Sequence, residues 1–526
     1  MRGIPAFIPF WAPWAVALGL VLPAAAQPSA AEAPTGQAAN PTDSKASTTA
    51  DAAPPDSSPA EGAKPATPVP GPSAAATAQA ATAKPASEIS AGALSSDPIA
   101  RGRYLATAGD CVACHTTPGG VEMAGGLALA SPLGQIYATN ITPSKTFGIG
   151  NYTLQQFSDA LRHGKRADGA HLYPAMPYTA YAKTSDADIA DMYAYFMQGV
   201  RPVDRSAPAT RLPFPFNIRL SMAVWNALFH DAQPYQPNAQ QPPEWNRGAY
   251  LVQGLTHCST CHTPRNALMA EIGKYSLGGS EVAGWYAPNI TSDPQDGIGQ
   301  WSADELVVYL REGLAPGKGS SGGPMAEAID HSLRHLSEAD LRAIVRYLQA
   351  VPPISEGSSQ PTFSWGKAGD QLASIRGKAL PRDMNAMTGA QLYDAYCASC
   401  HQAQGQGSTD NRLPALFHNT TLGHANTNNL VLSILQGVPR HGRDSIMPAF
   451  AHELSDEQVT TLSNYLLQNY GRPDAKVSID QVQHLRNGTA DSPLIMVARL
   501  AMTGGALLFL VLVVWLLRRR RRSHPG

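Results

Sequence analysis

Six cysteines are the whole thiol content of this 526-residue chain, and they stand in three copies of one pattern. The copies are Cys111-Val112-Ala113-Cys114-His115, Cys258-Ser259-Thr260-Cys261-His262 and Cys397-Ala398-Ser399-Cys400-His401. Cysteines three positions apart fall on neighbouring sites of one helical turn, so both sulfurs can reach the two vinyl groups along a porphyrin edge. The histidine that follows is then carried beneath the ring, toward iron. Cys111, Cys114, Cys258, Cys261, Cys397 and Cys400 are therefore expected to form thioether bonds, and His115, His262 and His401 to bind iron axially. That gives three covalently bound haem c. A zinc site would need four converging ligands, usually from two such pairs, yet these pairs stand about 140 residues apart, each with its own histidine. A thioredoxin-like pair would need a βαβ setting that the flanking sequence lacks.

The sixth ligand decides whether such an iron transfers electrons or binds outside molecules. Met176 stands in Tyr173-Pro174-Ala175-Met176-Pro177-Tyr178, and Met447 in Ile446-Met447-Pro448-Ala449-Phe450. A proline after each methionine fixes a loop. Met325, in Gly322-Gly323-Pro324-Met325-Ala326, is the candidate of the second copy, with its proline placed before it. Methionine is more often a core filler than a ligand, but each of these three lies downstream of a haem motif and upstream of a closing helix. Met123, Met192, Met197 and Met269 are expected to pack against haem or core. His163 and His171 compete for the first iron, although the residue matching His163 in the second copy is Glu312. No catalytic residue is assigned: closed His/Met irons offer no position to a substrate, and no flavin or nicotinamide motif occurs.

The elements that must hold these residues repeat as well. Gly102-Arg103-Tyr104-Leu105, Gly248-Ala249-Tyr250-Leu251 and Gly389-Ala390-Gln391-Leu392 each open a helix leading into a cysteine motif. Ser185, Ser337 and Ser455 precede acidic residues and an apolar helical period, which predicts capped closing helices. The first two copies also share Asn140-Ile141-Thr142 with Gly148-Ile149-Gly150, and Asn289-Ile290-Thr291 with Gly297-Ile298-Gly299. The predicted fold is mainly α, with three tandem cytochrome c-type haem domains over 97–235, 236–375 and 376–490.

Both ends look different. Met1 and Arg2, a short apolar stretch and Ala24-Ala25-Ala26 make a signal peptide over 1–26. From 27 to 96 the chain is nearly all Ala, Pro, Thr and Ser, which cannot bury enough apolar surface to fold and is expected to be a disordered tether. Leu500 to Leu517 carries no formal charge, and at about 1.5 Å per residue reaches roughly 27 Å, enough to span a bilayer. A transmembrane helix is predicted over 491–518, with a basic tail over 519–526. Arg518 to Arg522 belong on the cytoplasmic side, which puts the haem domains in the periplasm of a single-pass inner-membrane protein. A net charge of −1 calls for no nucleic-acid partner.

With these motifs, the Cys261-His262-Thr263-Pro264-Arg265 run and the Pro213-Phe214-Pro215-Phe216 to Trp225 segment, the chain from about Pro98 to Tyr470 resembles a known family. It is similar to the triheme cytochrome c subunits of membrane-bound periplasmic dehydrogenases, those for alcohol, aldehyde, gluconate, sorbitol and fructose in acetic acid bacteria and related proteobacteria. The resemblance implies a separate catalytic subunit with a molybdenum, pyrroloquinoline quinone (PQQ) or flavin cofactor, from which the cytochrome relays electrons to ubiquinone. The long tether and plain C-terminal span depart from the alcohol dehydrogenase pattern and turn the expectation toward a molybdenum-type aldehyde dehydrogenase. The alternatives are a cytochrome subunit of a terminal oxidase and a stand-alone multihaem redox enzyme.

Overall fold

The computed structural model describes residues 95–411, 413–438, 447–488 and 494–522. The expected signal peptide, nearly all of the tether and the end of the basic tail lie outside these residues. The described chain is mostly helical, and three stretches of it are built alike. An opening helix (Pro98–Ala108, Pro243–Tyr250, Gly389–Tyr396) crosses a closing helix (Asp186–Ala194, Glu338–Leu348, Asp456–Tyr470). The closing helices begin where the serines predict: Ser185, Ser337 and Ser455 accept the N–H of the third helical residue at 3.1, 3.1 and 3.3 Å.

The opening glycines mark the crossing points. A Cβ at Gly102 would sit 1.9 Å from the Asp191 carbonyl oxygen, and one at Gly248 would sit 1.9 Å from that of Ala343. Only a residue without a side chain permits so close an approach. Three positions on, Leu105, Leu251 and Leu392 are fully buried, each side chain worth about 1.5–3 kcal/mol of burial as an upper estimate. The first two stretches share one continuous apolar core that includes Leu105, Ile189, Leu251, Leu341 and Ile344. The third has its own, built on Leu392, Tyr393, Leu462 and Tyr470.

Short antiparallel hairpins join these helices, Ala128–Ser131 with Gly134–Tyr137 in the first stretch and Ser280–Val282 with Trp285–Ala287 in the second. The second hairpin is where the third stretch docks. The Asn429 amide exchanges two hydrogen bonds with the Tyr286 backbone, both 2.8 Å, and Asn426 donates to Glu281 at 2.9 Å.

The last element is the helix Leu494–Arg522. The most apolar window of its segment Ile495–Arg519 has a mean hydropathy of 2.5 and is not buried, so by length and composition the helix can cross a membrane. Arg499 Nε donates to the Phe214 carbonyl at 3.1 Å.

Candidate haem-attachment sites

The cysteine motifs form one-turn helices, Cys111–His115, Ser259–His262 and Ala398–His401. Each opening helix was expected to run into its motif, but in the first two stretches the chain breaks first. Asp110 and His257, the residues just before Cys111 and Cys258, take positive φ values of 52° and 34°. The left-handed residue ends the helical run before each motif begins, while Gly102 and Gly248 keep the crossing.

Each motif histidine is oriented by one backbone carbonyl. The Nδ1 of His115 lies 2.6 Å from the Thr139 oxygen, that of His262 2.6 Å from Pro288, and that of His401 3.0 Å from Pro414. Because a carbonyl only accepts, Nδ1 carries the proton, and Nε2 keeps its lone pair for a metal. Burial pushes all three imidazoles below their ordinary pKa, which favours the neutral ligand form.

The Asn-Ile-Thr segments hold two of those carbonyls. Asn140 Oδ1 accepts from the Thr142 N–H and hydroxyl at 2.9 and 2.7 Å while its amide donates to Val203 and Arg205. Asn289 repeats this with Thr291 at the same two distances and donates to Ile354. The Gly-Ile-Gly segments close on them, Ile149 and Ile298 each donating to the respective threonine carbonyl at 2.9 Å. Thr139 and Pro288, one residue before each asparagine, are fixed by this staple.

The methionines fall in matching frames. Gly164 O accepts the Leu172 N–H and Gly313 O accepts the Ser321 N–H, and Met176 and Met325 each follow four residues later. In this frame His171 matches Ser320, so neither His163 nor His171 has a histidine counterpart. Met447 pairs with Val438 in a short bridge; residues 439–446 between them are outside the described chain. Met176 and Met325 pack against the first core and Met447 against the second.

In the second stretch, Cys258, Cys261, His262 and Met325 line one cavity of about 210 Å³. One water occupies only about 10–15 Å³ on this measure, so the space suits a large organic group. Sequence reasoning missed several of its walls: Ala108 and Asp110 come from the first stretch, and Thr420, Thr421 and His424 from the third. Burial pushes the thiols of Cys111 and Cys397 up to about 12, and those of Cys114 and Cys261 to about 11. Burial of this kind keeps those thiols protonated at neutral pH.

Paired thiols, a histidine with its outer nitrogen tied back, and a lined cavity define a c-type cytochrome, whose haem c is covalently bound. Comparisons with known proteins agree. The model of cytochrome C oxidase, cbb3-type, subunit III, matches residues 384–466. The chain is 47% identical over 449 residues to the fructose dehydrogenase cytochrome subunit of Gluconobacter japonicus, covering 81% of this chain and 91% of that one. It is 40% identical over 408 residues to the gluconate 2-dehydrogenase cytochrome c subunit of Pantoea cypripedii, covering 74% and 89%. Against the cytochrome c subunit of alcohol dehydrogenase (quinone) of Gluconobacter oxydans (strain 621H) it is 37% identical over 402 residues, covering 74% and 82%. The chain belongs to the family of cytochrome c subunits of bacterial dehydrogenase complexes.

Proposed function

We propose that this chain is a three-haem electron relay, exported by residues 1–26 and held in the inner membrane by its C-terminal helix, with domains 97–235, 236–375 and 376–490 in the periplasm. It takes electrons from a catalytic dehydrogenase subunit and delivers them to ubiquinone. The observation that carries the reading is the threefold recurrence of a Cys-x-x-Cys-His turn whose histidine Nδ1 is bonded to a carbonyl. Haem c bound at such a turn supplies a one-electron ferric/ferrous couple. The protein's part is to fix ligand geometry, exclude water and bring successive sites close. Cys111, Cys114, Cys258, Cys261, Cys397 and Cys400 hold the porphyrins; His115 with Met176, His262 with Met325, and His401 with Met447 complete the axial pairs.

The partner is a sugar or sugar-acid dehydrogenase in this reading, because relatives named for fructose and gluconate have the higher identities among those compared, 47% and 40%. The sequence pattern alone points instead to a molybdenum-type aldehyde oxidiser. The oxidase-subunit reading gains from the family match at 384–466, but that match spans only the third stretch.

Gentle detergent purification of the native complex, followed by identification of the large subunit and intact-mass measurement of the cytochrome, tests the proposal. Three haems and substrate-dependent haem reduction only in the presence of the large subunit are expected. Reduction by substrate with this chain alone would overturn the relay reading.

A further inference from the structure

The first and second stretches meet through two contacts that mirror each other. Tyr104, on the first opening helix, donates to Asp340 Oδ2 at 2.6 Å on the second closing helix. Tyr250, on the second opening helix, donates to Asp188 Oδ2 at 2.5 Å on the first closing helix. The tyrosines stand two residues after Gly102 and Gly248, and the aspartates three residues after Ser185 and Ser337. Each tyrosine oxygen also accepts the backbone N–H of the opposite cap, Ser337 or Ser185, at 3.1 Å. Contacts in which i meets j and j meets i are the mark of a two-fold interface; here both halves belong to one chain.

These bridges are shielded from water. Asp188 is 0% and Asp340 6% exposed, and a hydrogen bond to a buried charge is among the stronger ones a protein makes. The third stretch has Gln391 and Gln458 at the corresponding positions. Both are turned to local use, accepting from the backbone of their own caps, Thr388 and Ser455, at 2.9 Å each. The pairing device is therefore confined to the first two. The interface it closes also adjoins the cofactor sites. Ala108 and Asp110, just before Cys111, line the cavity of His262 and Met325, and Ser332 Oγ donates to the Ala108 carbonyl at 3.1 Å.

We propose that Tyr104 and Tyr250, bonded to Asp340 and Asp188, are positioning residues that lock the first two haem-attachment sites into a pseudo-two-fold pair and fix the separation over which electrons cross between them. The inference rests on the three-haem relay reading. A crossing electron reduces one iron as it oxidises the other, with no bond made or broken; the bridges contribute distance and orientation.

Full-length, haem-loaded Tyr104→Phe, Tyr250→Phe and double variants test this, with Tyr393→Phe as control, since its hydroxyl donates to Gln402 within the third stretch. Losing one hydrogen bond to a charge should raise the open population of the interface about ten- to hundredfold. Amide exchange in Pro98–Ala108 and Pro243–Tyr250 should accelerate by that factor. Electron equilibration between the first two haems after flash photoreduction should slow, most in the double variant, while the potential of the third haem stays unchanged. Haem count and ligand spectra report separately on the relay reading. If variants retaining three haems equilibrate as fast as wild type, or no slower than the control, the positioning role is wrong. Should the double variant not mature, each single variant is held to the same two outcomes.

Discussion

Adding one methyl group at Gly248 should loosen the second stretch more than any exposed polar substitution would. The new Cβ would stand 1.9 Å from the Ala343 oxygen, 2.6 Å from its carbonyl carbon and 2.8 Å from Tyr347 Cβ. Ordinary contact begins at 3.4 Å, so the opening and closing helices must part by 3.4 − 1.9 = 1.5 Å. Two of the three obstructing atoms are backbone, and no rotamer change relieves them. Overpacking of this kind costs about 3 kcal/mol, at the upper end of the usual range. Replacing a helical glycine by alanine returns about 1 kcal/mol of propensity. The net loss of about 2 kcal/mol corresponds to a melting temperature roughly 4–8 °C lower in a domain of this size. Gly273→Ala is the matched control, because nothing lies within 4 Å of its added methyl. Thermal unfolding in detergent, followed by far-ultraviolet circular dichroism and Soret absorbance, reads the difference. If Gly248→Ala melts together with Gly273→Ala, the close crossing does not exist.

Three other outcomes are expected. Single Met176→Leu, Met325→Leu and Met447→Leu variants should each lose one third of the methionine-to-iron absorption at the red end of the spectrum; an unchanged Met325→Leu spectrum would remove that residue from the ligand set. Deleting Leu494 onward should release a fully haem-loaded cytochrome into the soluble periplasmic fraction, and its retention in the membrane would show that the helix is not the anchor. Acid should open the interface between the first two stretches. Burial raises the Asp340 carboxyl, but two bonds from Arg247 at 2.7 Å and one from Tyr104 outweigh it and hold the group below its ordinary value. Its stabilisation is therefore complete above the unfolded pKa of about 3.9 and fades as pH falls through the lower folded value. The protection factors of the amides in Pro243–Tyr250, taken against the unstructured rate at each pH, should be flat from neutral pH down to about 5 and fall below about 4, and a flat profile throughout would contradict the depressed Asp340.

What the sequence made legible was local. The cysteine turns, the three serine caps and the long apolar helix each depend on residues within a few positions of one another, so spacing alone predicts them. The hairpin at Ala128–Ser131 escaped notice because its strands are four residues long and lack clean alternation. The breaks at Asp110 and His257 were hidden because neither residue is glycine, the usual signal of a left-handed turn. Tyr104 and Asp340 are 236 positions apart, and no pattern of period 2 or 3.6 connects them. The Asn-Ile-Thr repeats were visible as repeats. Their purpose, steadying the carbonyls that face His115 and His262, required the fold.

The walls of the middle cavity impose an order in time. Residues from all three stretches line it: Asp110 from the first, Cys258 to His262 and Met325 from the second, and Thr420, Thr421 and His424 from the third. Whatever fills this chamber is therefore touched by residues from all three stretches. In a chain emerging N-terminus first, the third stretch is also the last to arrive. The docking through Asn426 and Asn429 that completes the cavity wall therefore cannot occur until the third stretch has been made.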